Sequence, residues 1–229
     1  MLEIIQINLL GEVAYYRGET KVPLITSRKT RALLIYLVVT GRSQHREHLC
    51  EMFFAKTADP RGALRWSLSK LRRLMNTDGA DRLISERDYV AIDKADIALD
   101  IDFLRATHGH PNPPIARLRR AAQLLSQKPF PDLDLRRADE YQLWLIRTRE
   151  ALLSLRGGIT EKLAWAPQIT DAEALRWLRQ WHQQDPFSHD APFMLWRKLM
   201  ELDRIEEAQA VSKEYLRLME TEARDWRDR

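Results

Sequence analysis

Apolar residues alternate or run together over the first 25 positions: Leu2, Ile4, Ile5, Ile7, Leu9 and Leu10, then Val13, Tyr15 and Tyr16. Gly11 and the Arg17-Gly18-Glu19 stretch punctuate them, so the pattern predicts two or three short antiparallel strands. The period then lengthens. Ala32, Leu33, Ile35, Tyr36, Leu37 and Val39 recur at helical spacing, behind Ser27 as a favoured N-cap and ahead of Gly41 as a favoured terminator. A second short helix is predicted over 46–54, with Leu49, Met52 and Phe53 turned inward. Asp59-Pro60 opens a third. The aspartate caps first-turn N–H groups, and proline at the first helical position loses no hydrogen bond. That helix is predicted to reach about Asn76. Segments 82–86 and 89–93 carry β-branched and aromatic residues around Arg87-Asp88 and read as a hairpin.

Beyond Phe103 the composition changes. His108-Gly109-His110-Pro111-Asn112-Pro113-Pro114 combines breakers and predicts a linker. Everything after it has helical period, with helices predicted at 115–127, 138–156, 160–166, 171–184, 189–201 and 204–221. Gly157-Gly158, Pro167, Asp185-Pro186 and Leu202-Asp203 are the expected breaks. An offset of 34 residues aligns Ala174 with Ala208, Trp177 with Val211 and Trp181 with Tyr215. This is the period of a tetratricopeptide unit, although plain antiparallel helices with similar heptads would give the same alignment. The domains expected are 1–106, a linker at 107–114, and 115–229.

Composition excludes several classes. Of 229 residues, 45% are hydrophobic and 31% charged, an ordinary globular balance that rules out a disordered or collagen-like chain. Ala32 to Val39 is the longest apolar run, far short of the roughly 20 residues a spanning helix needs, and no basic-then-apolar leader is seen. A single cysteine, Cys50, excludes a disulfide framework and a Cys-rich zinc site. A cytoplasmic protein without membrane contact is expected.

Charge changes the picture more. The net +4 hides a segment, 17–76, with 13 Lys/Arg against 4 Asp/Glu, a local balance of +9. The next segment, 77–110, has 4 against 8. Such asymmetry suits a polyanion-binding surface in the first third. On a helical wheel Leu64, Leu68, Leu71 and Met75 fall within about 40° of one another and form a core stripe. The opposite face carries Gly62, Trp66, Ser69 and Arg73, with Lys70 on one shoulder and Arg65 and Arg72 on the other. Four cations and no acid after Asp59 suit phosphates and guanine edges.

These residues carry a family likeness. The order of sheet, three helices and hairpin resembles the winged helix-turn-helix of OmpR-type response regulators, and more closely the antibiotic-regulatory activators (SARP). Ser27-Arg28-Lys29-Thr30-Arg31-Ala32-Leu33-Leu34-Ile35-Tyr36-Leu37 resembles that family's first helix, and His45-Arg46-Glu47-His48-Leu49-Cys50-Glu51-Met52-Phe53-Phe54 its second, with Phe54 where tryptophan is usual. Ala63-Leu64-Arg65-Trp66-Ser67-Leu68-Ser69-Lys70-Leu71-Arg72-Arg73-Leu74 resembles its recognition helix, and Asp100-Ile101-Asp102-Phe103 the segment after the wing. In the second half, Ala121-Ala122-Gln123-Leu124-Leu125, Trp144 and Asp185-Pro186-Phe187 resemble the bacterial transcriptional activator domain, an all-helical tetratricopeptide-like module. Ser85-Glu86-Arg87-Asp88-Tyr89-Val90 departs from the family's glycine-containing wing, leaving Arg87 as its one cation.

The expected fold class is therefore an α+β winged helix followed by an all-α tetratricopeptide-like domain. The resemblance implies a sequence-specific double-stranded DNA-binding transcriptional regulator, with the helix over 59–76 in the major groove. Trp66, Ser69, Lys70 and Arg73 are the expected base contacts, with Trp66 either on thymine methyls or tucked under a neighbouring helix. Arg28, Arg31, Arg46, Arg65 and Arg72 are the expected phosphate contacts, and Arg87 the wing contact. Direct repeats in the DNA, RNA polymerase and a second copy of the chain are the partners implied. The alternative is a protein-interaction adaptor working through its helical half, with the winged helix as a docking domain. No cofactor, metal or enzymatic activity is expected: there is no glycine-rich phosphate loop, His108 and His110 read as polar filler in a Pro-rich linker, and His45 and His48 have no third ligand beside them.

Overall fold

A computed structural model describes residues 4–76 and 79–227; Leu2 of the first predicted strand lies outside them. The chain opens with β1 (Ile5–Asn8), β2 (Ala14–Arg17) and β3 (Thr20–Val22), antiparallel as their alternation predicts. α1 (Arg28–Thr40), β4 (Gln44–His45), α2 (Arg46–Phe54) and α3 (Pro60–Met75) follow, then the hairpin β5 (Leu83–Ser85) and β6 (Tyr89–Ile92). β7 (Ile97–Leu99) returns to lie parallel to β1, giving the order β3-β2-β1-β7, while β4-β6-β5 form a second sheet. The remainder is helical: α4 (Asp100–Gly109), α5 (Ile115–Leu125), α6 (Asp139–Ala164), α7 (Asp171–Gln184), α8 (Asp190–Glu201) and α9 (Ile205–Arg227). The fold is an α+β winged helix followed by a helical array. No helix among the described residues is long and apolar enough to cross a membrane.

Close packing gathers Met1–Phe103 and Lys128–Ala151 into one unit, and Leu104–Gln127 and Leu152–Arg229 into another. In the first, local signals in the sequence act as they predict. Ser27 Oγ accepts from the Thr30 N–H at 3.4 Å, and Gly41 ends α1 in the left-handed region at φ 61°. Asp59 Oδ1 accepts from the Gly62 N–H at 2.8 Å, with Pro60 in the first turn of α3. α1 is buried on nearly every side from Ala32 to Val38, so it is the hub of this unit. α3 packs on both α1 and α2, with the predicted stripe buried and Ser67 and Leu74 buried as well. Ser67 is tolerated there because its hydroxyl meets that of Thr30 at 3.1 Å, which satisfies both polar groups.

Segment 128–151 belongs to this same packing. The Phe130 N–H donates to the Leu9 carbonyl at 2.7 Å, Tyr141 packs 5.0 Å from Phe53, and Trp144 meets Tyr36 edge-on at 5.0 Å. Helical period in the sequence shows that residues such as Tyr141 and Leu145 are buried, but not which element buries them.

In the second unit Ala174, Leu178, Trp181, Leu195, Leu199 and Ala208 share a core. Ala174 and Ala208, the pair aligned by the 34-residue offset, are both fully buried. The break predicted at Gly157-Gly158 is absent, and α6 runs through it. These glycines serve close approach instead. A Cβ on Gly157 would lie 3.2 Å from the Trp181 ring, and one on Gly158 would lie 2.7 Å from His108 Nε2. His108 and Gly109, expected in a linker, complete α4, and Lys162 Nζ donates to the His108 carbonyl at 2.7 Å and the His110 carbonyl at 2.9 Å.

Candidate nucleic-acid interface

The amphipathic sequence of α3 decides what it shows to solvent. With Leu64, Leu68, Leu71, Leu74 and Met75 buried, Arg61, Arg65, Trp66, Ser69, Arg72 and Arg73 are exposed and Lys70 is half-buried. The structure thus brings all six α3 residues predicted for base or phosphate contact onto the uncovered side of one helix. Trp66 is 54% exposed rather than tucked beneath a neighbour, and the Lys70 ammonium stands 5.2 Å from its ring centroid. The N-cap Asp59 stands 3.9 Å from Arg65.

The helix is held rigidly at its C-terminal end, where helical carbonyls lack partners. Tyr15 Oη donates to the Leu74 carbonyl at 3.0 Å, and Arg17 Nη2 donates to the same oxygen at 2.5 Å. Arg82 Nη1 donates to the Met75 carbonyl at 3.0 Å. Burial pushes the Tyr15 hydroxyl above its ordinary value, so it stays a protonated donor. Cations at this end also suit the helix dipole. Arg82 itself is 2% exposed and pairs through two hydrogen bonds with Asp96, whose carboxyl it holds below the usual range. Sequence reasoning missed this anchor: Arg82 and Asp96 are two charges on either side of a hairpin, and no local period marks them as partners.

The remaining predicted contacts are spread more widely. Arg28 is exposed at the start of α1. Arg31 is half-buried, with Nη1 donating to the Ile25 and Thr26 carbonyls at 2.8 and 3.2 Å. Arg46 binds the hairpin: Nε donates to the Glu86 carbonyl at 2.8 Å and Nη2 to Ser85 Oγ at 2.5 Å, while its backbone N–H donates to the Asp88 carbonyl at 2.9 Å. This clamp, with β4 pairing to β6, fastens a turn that has neither glycine nor a positive φ between Glu86 and Tyr89. Arg87 is exposed at the turn, flanked by exposed Glu86 and Asp88.

A groove of about 990 Å³ opens between α2, the first turns of α3 and this turn. Arg46, Arg61, Arg65 and Arg87 line it, but so do Glu47, Glu51, Asp59 and Asp88. Its charges balance, whereas Ser69, Lys70, Arg72 and Arg73 of α3 stand outside it. Arg61 is the cation of α3 that the wheel argument left out, since it stands in the first turn beside the cap. Cys50 also borders the groove; burial pushes its thiol up, and Sγ contacts the Pro60 carbonyl at 3.6 Å, the setting of an unreactive thiol. Among the described residues no group of three or more His, Cys, Asp or Glu could hold a metal ion.

No protein-family pattern and no curated protein sequence matches the chain. Among solved structures, Mycobacterium tuberculosis EmbR in complex with a low affinity phosphopeptide is similar, with a TM-score of 0.70 at 18% identity. The likeness covers 93% of this chain and 59% of that one, so the chain spans about three fifths of the length of the EmbR chain it matches. At this identity the likeness establishes the fold, a winged helix joined to a helical array.

Proposed function

We propose that the protein is a sequence-specific double-stranded DNA-binding regulator of transcription, of the kind its sequence resembles. One observation carries this reading. α3 turns Arg65, Trp66, Ser69, Arg72 and Arg73 to solvent with Lys70 beside them, and it has no acid from Pro60 to Met75. Like charges at this density repel one another, and a phosphate backbone relieves that repulsion while base edges use the polar tips. In this reading α3 lies in the major groove. Trp66, Ser69, Lys70 and Arg73 meet bases, and Arg28, Arg31, Arg46, Arg65 and Arg72 meet phosphates, with Arg87 at the wing. The likeness to EmbR supports the architecture on which this depends. The helical part makes protein contacts, with RNA polymerase or a second copy bound at an adjacent direct repeat. Exposed Phe193 and Met200 on α8, with Trp196 stacked on Phe193 at 6.1 Å, suit that task. The acids at the wing favour a second reading, a protein-docking adaptor, in which DNA affinity would be absent.

The α3 residues test the assignment. On a duplex selected by the protein, Arg73→Ala or Lys70→Ala is expected to cost about 1–3 kcal/mol, and much less on random duplex. Arg65→Ala or Arg72→Ala should weaken both duplexes alike and reduce the salt slope by about one. Fluorescence anisotropy on the two duplexes separates the cases. Unchanged specific affinity in folded Arg73→Ala contradicts the placement of α3.

A further inference from the structure

Trp66 and Lys70 are spaced four residues apart on α3, so their side chains rise from one face a single turn apart. The indole is 54% exposed, and the ammonium is held 5.2 Å from the ring centroid, a cation–π distance. Two consequences follow. A flexible lysine that would otherwise sample many rotamers is drawn over a rigid plane. The rest of that plane remains in water, as apolar surface set within the cationic face.

In a major groove the apolar group that marks a base is the thymine 5-methyl, and the partners of a lysine are guanine O6 and N7. The reach between side chains at this spacing, about 5–6 Å, approaches two base-pair steps. Resting on the DNA-binding reading above, we infer that Trp66 and Lys70 form one reading unit for a thymine and a guanine within about two base pairs of each other. The indole covers the thymine methyl and at the same time holds the Lys70 ammonium toward the guanine. Trp66 is thus both a base contact and the positioning residue for Lys70, and this part of the recognised sequence is a mixed T/G element.

The test uses single-atom changes in the DNA. Duplexes are selected from a random pool by the full chain. They are rebuilt with deoxyuridine for each thymine, which deletes only the methyl, or with 7-deazaguanine for each guanine, which removes only the N7 acceptor. Each is titrated against wild type, Trp66→Ala, Trp66→Phe and Lys70→Ala, with thermal melts confirming that these surface variants stay folded. At one thymine, uracil is expected to weaken wild type about four-fold, the worth of one buried methyl, and to leave Trp66→Ala unaffected. At a guanine within about two base pairs, the 7-deaza change should weaken wild type about five-fold and Lys70→Ala not at all. Trp66→Ala should lose most of this guanine preference, and Trp66→Phe, which keeps an aromatic face, should retain it.

The inference is overturned if uracil weakens wild type and Trp66→Ala equally at every thymine, or if Trp66→Ala keeps the full guanine preference. A chain that selects no sequence yet binds random duplex with a steep salt dependence overturns this inference and leaves general DNA binding standing. A chain with no salt-dependent affinity for any duplex overturns both.

Discussion

Arg82→Ala is expected to lower the stability of the protein by about 3–5 kcal/mol, the range seen when one partner of a buried ion pair is removed. Arg82 is 2% exposed, and the Asp96 side chain facing it is 12% exposed, so deletion leaves a carboxylate with little access to water. The same change strips the donor from the Met75 carbonyl at the end of α3. The pH dependence has a definite sign. Arg82 holds the Asp96 carboxyl below its ordinary range, so the pair contributes stability above the unfolded-state pKa, about 3.9. That contribution is lost as pH falls through the depressed folded-state value. Urea denaturation of both proteins should therefore show a wide gap at neutral pH that narrows below about pH 4. A gap independent of pH would mean that the loss comes from packing and not from the ion pair.

Leu68→Ala is the second large effect, at about 2–5 kcal/mol. Leu68 is 2% exposed in the stripe that seats α3, next in sequence to Ser67, whose hydroxyl is bonded to that of Thr30. A lower denaturation midpoint with unchanged slope is the expected signature. A loss under about 1 kcal/mol would show that the α3 seat is looser than its burial implies.

Much of this was legible in the sequence where the cause is local. Ser27, Gly41 and Asp59-Pro60 act through hydrogen bonds within one turn of themselves, so their positions predict α1 and α3. Most of the face of α3 was legible because helical period marks Leu64, Leu68, Leu71 and Met75 as its buried stripe, to which packing adds Ser67 and Leu74. What was hidden depends on partners distant in sequence. The parallel pairing of β7 with β1 joins residues about ninety positions apart. The packing of Tyr141 and Trp144 on Phe53 and Tyr36 leaves no trace in period. Gly157 and Gly158 read as a break because the sequence does not show Trp181 and His108 pressing against α6. Among the cations, composition could not tell exposed Arg72 and Arg73 from Arg46, whose guanidinium is engaged with the wing.

The central claim is that the basic face of α3 and its neighbours grip a phosphate backbone, and a salt titration tests it most directly. The chain is titrated against random duplex by anisotropy at several salt concentrations. If about five phosphates are neutralised per chain, log K falls against log salt with a slope of about −4 to −5, a loss of about 250- to 1000-fold between 50 and 200 mM. A flat line, or no binding at 50 mM, would contradict the account and favour the protein-docking adaptor.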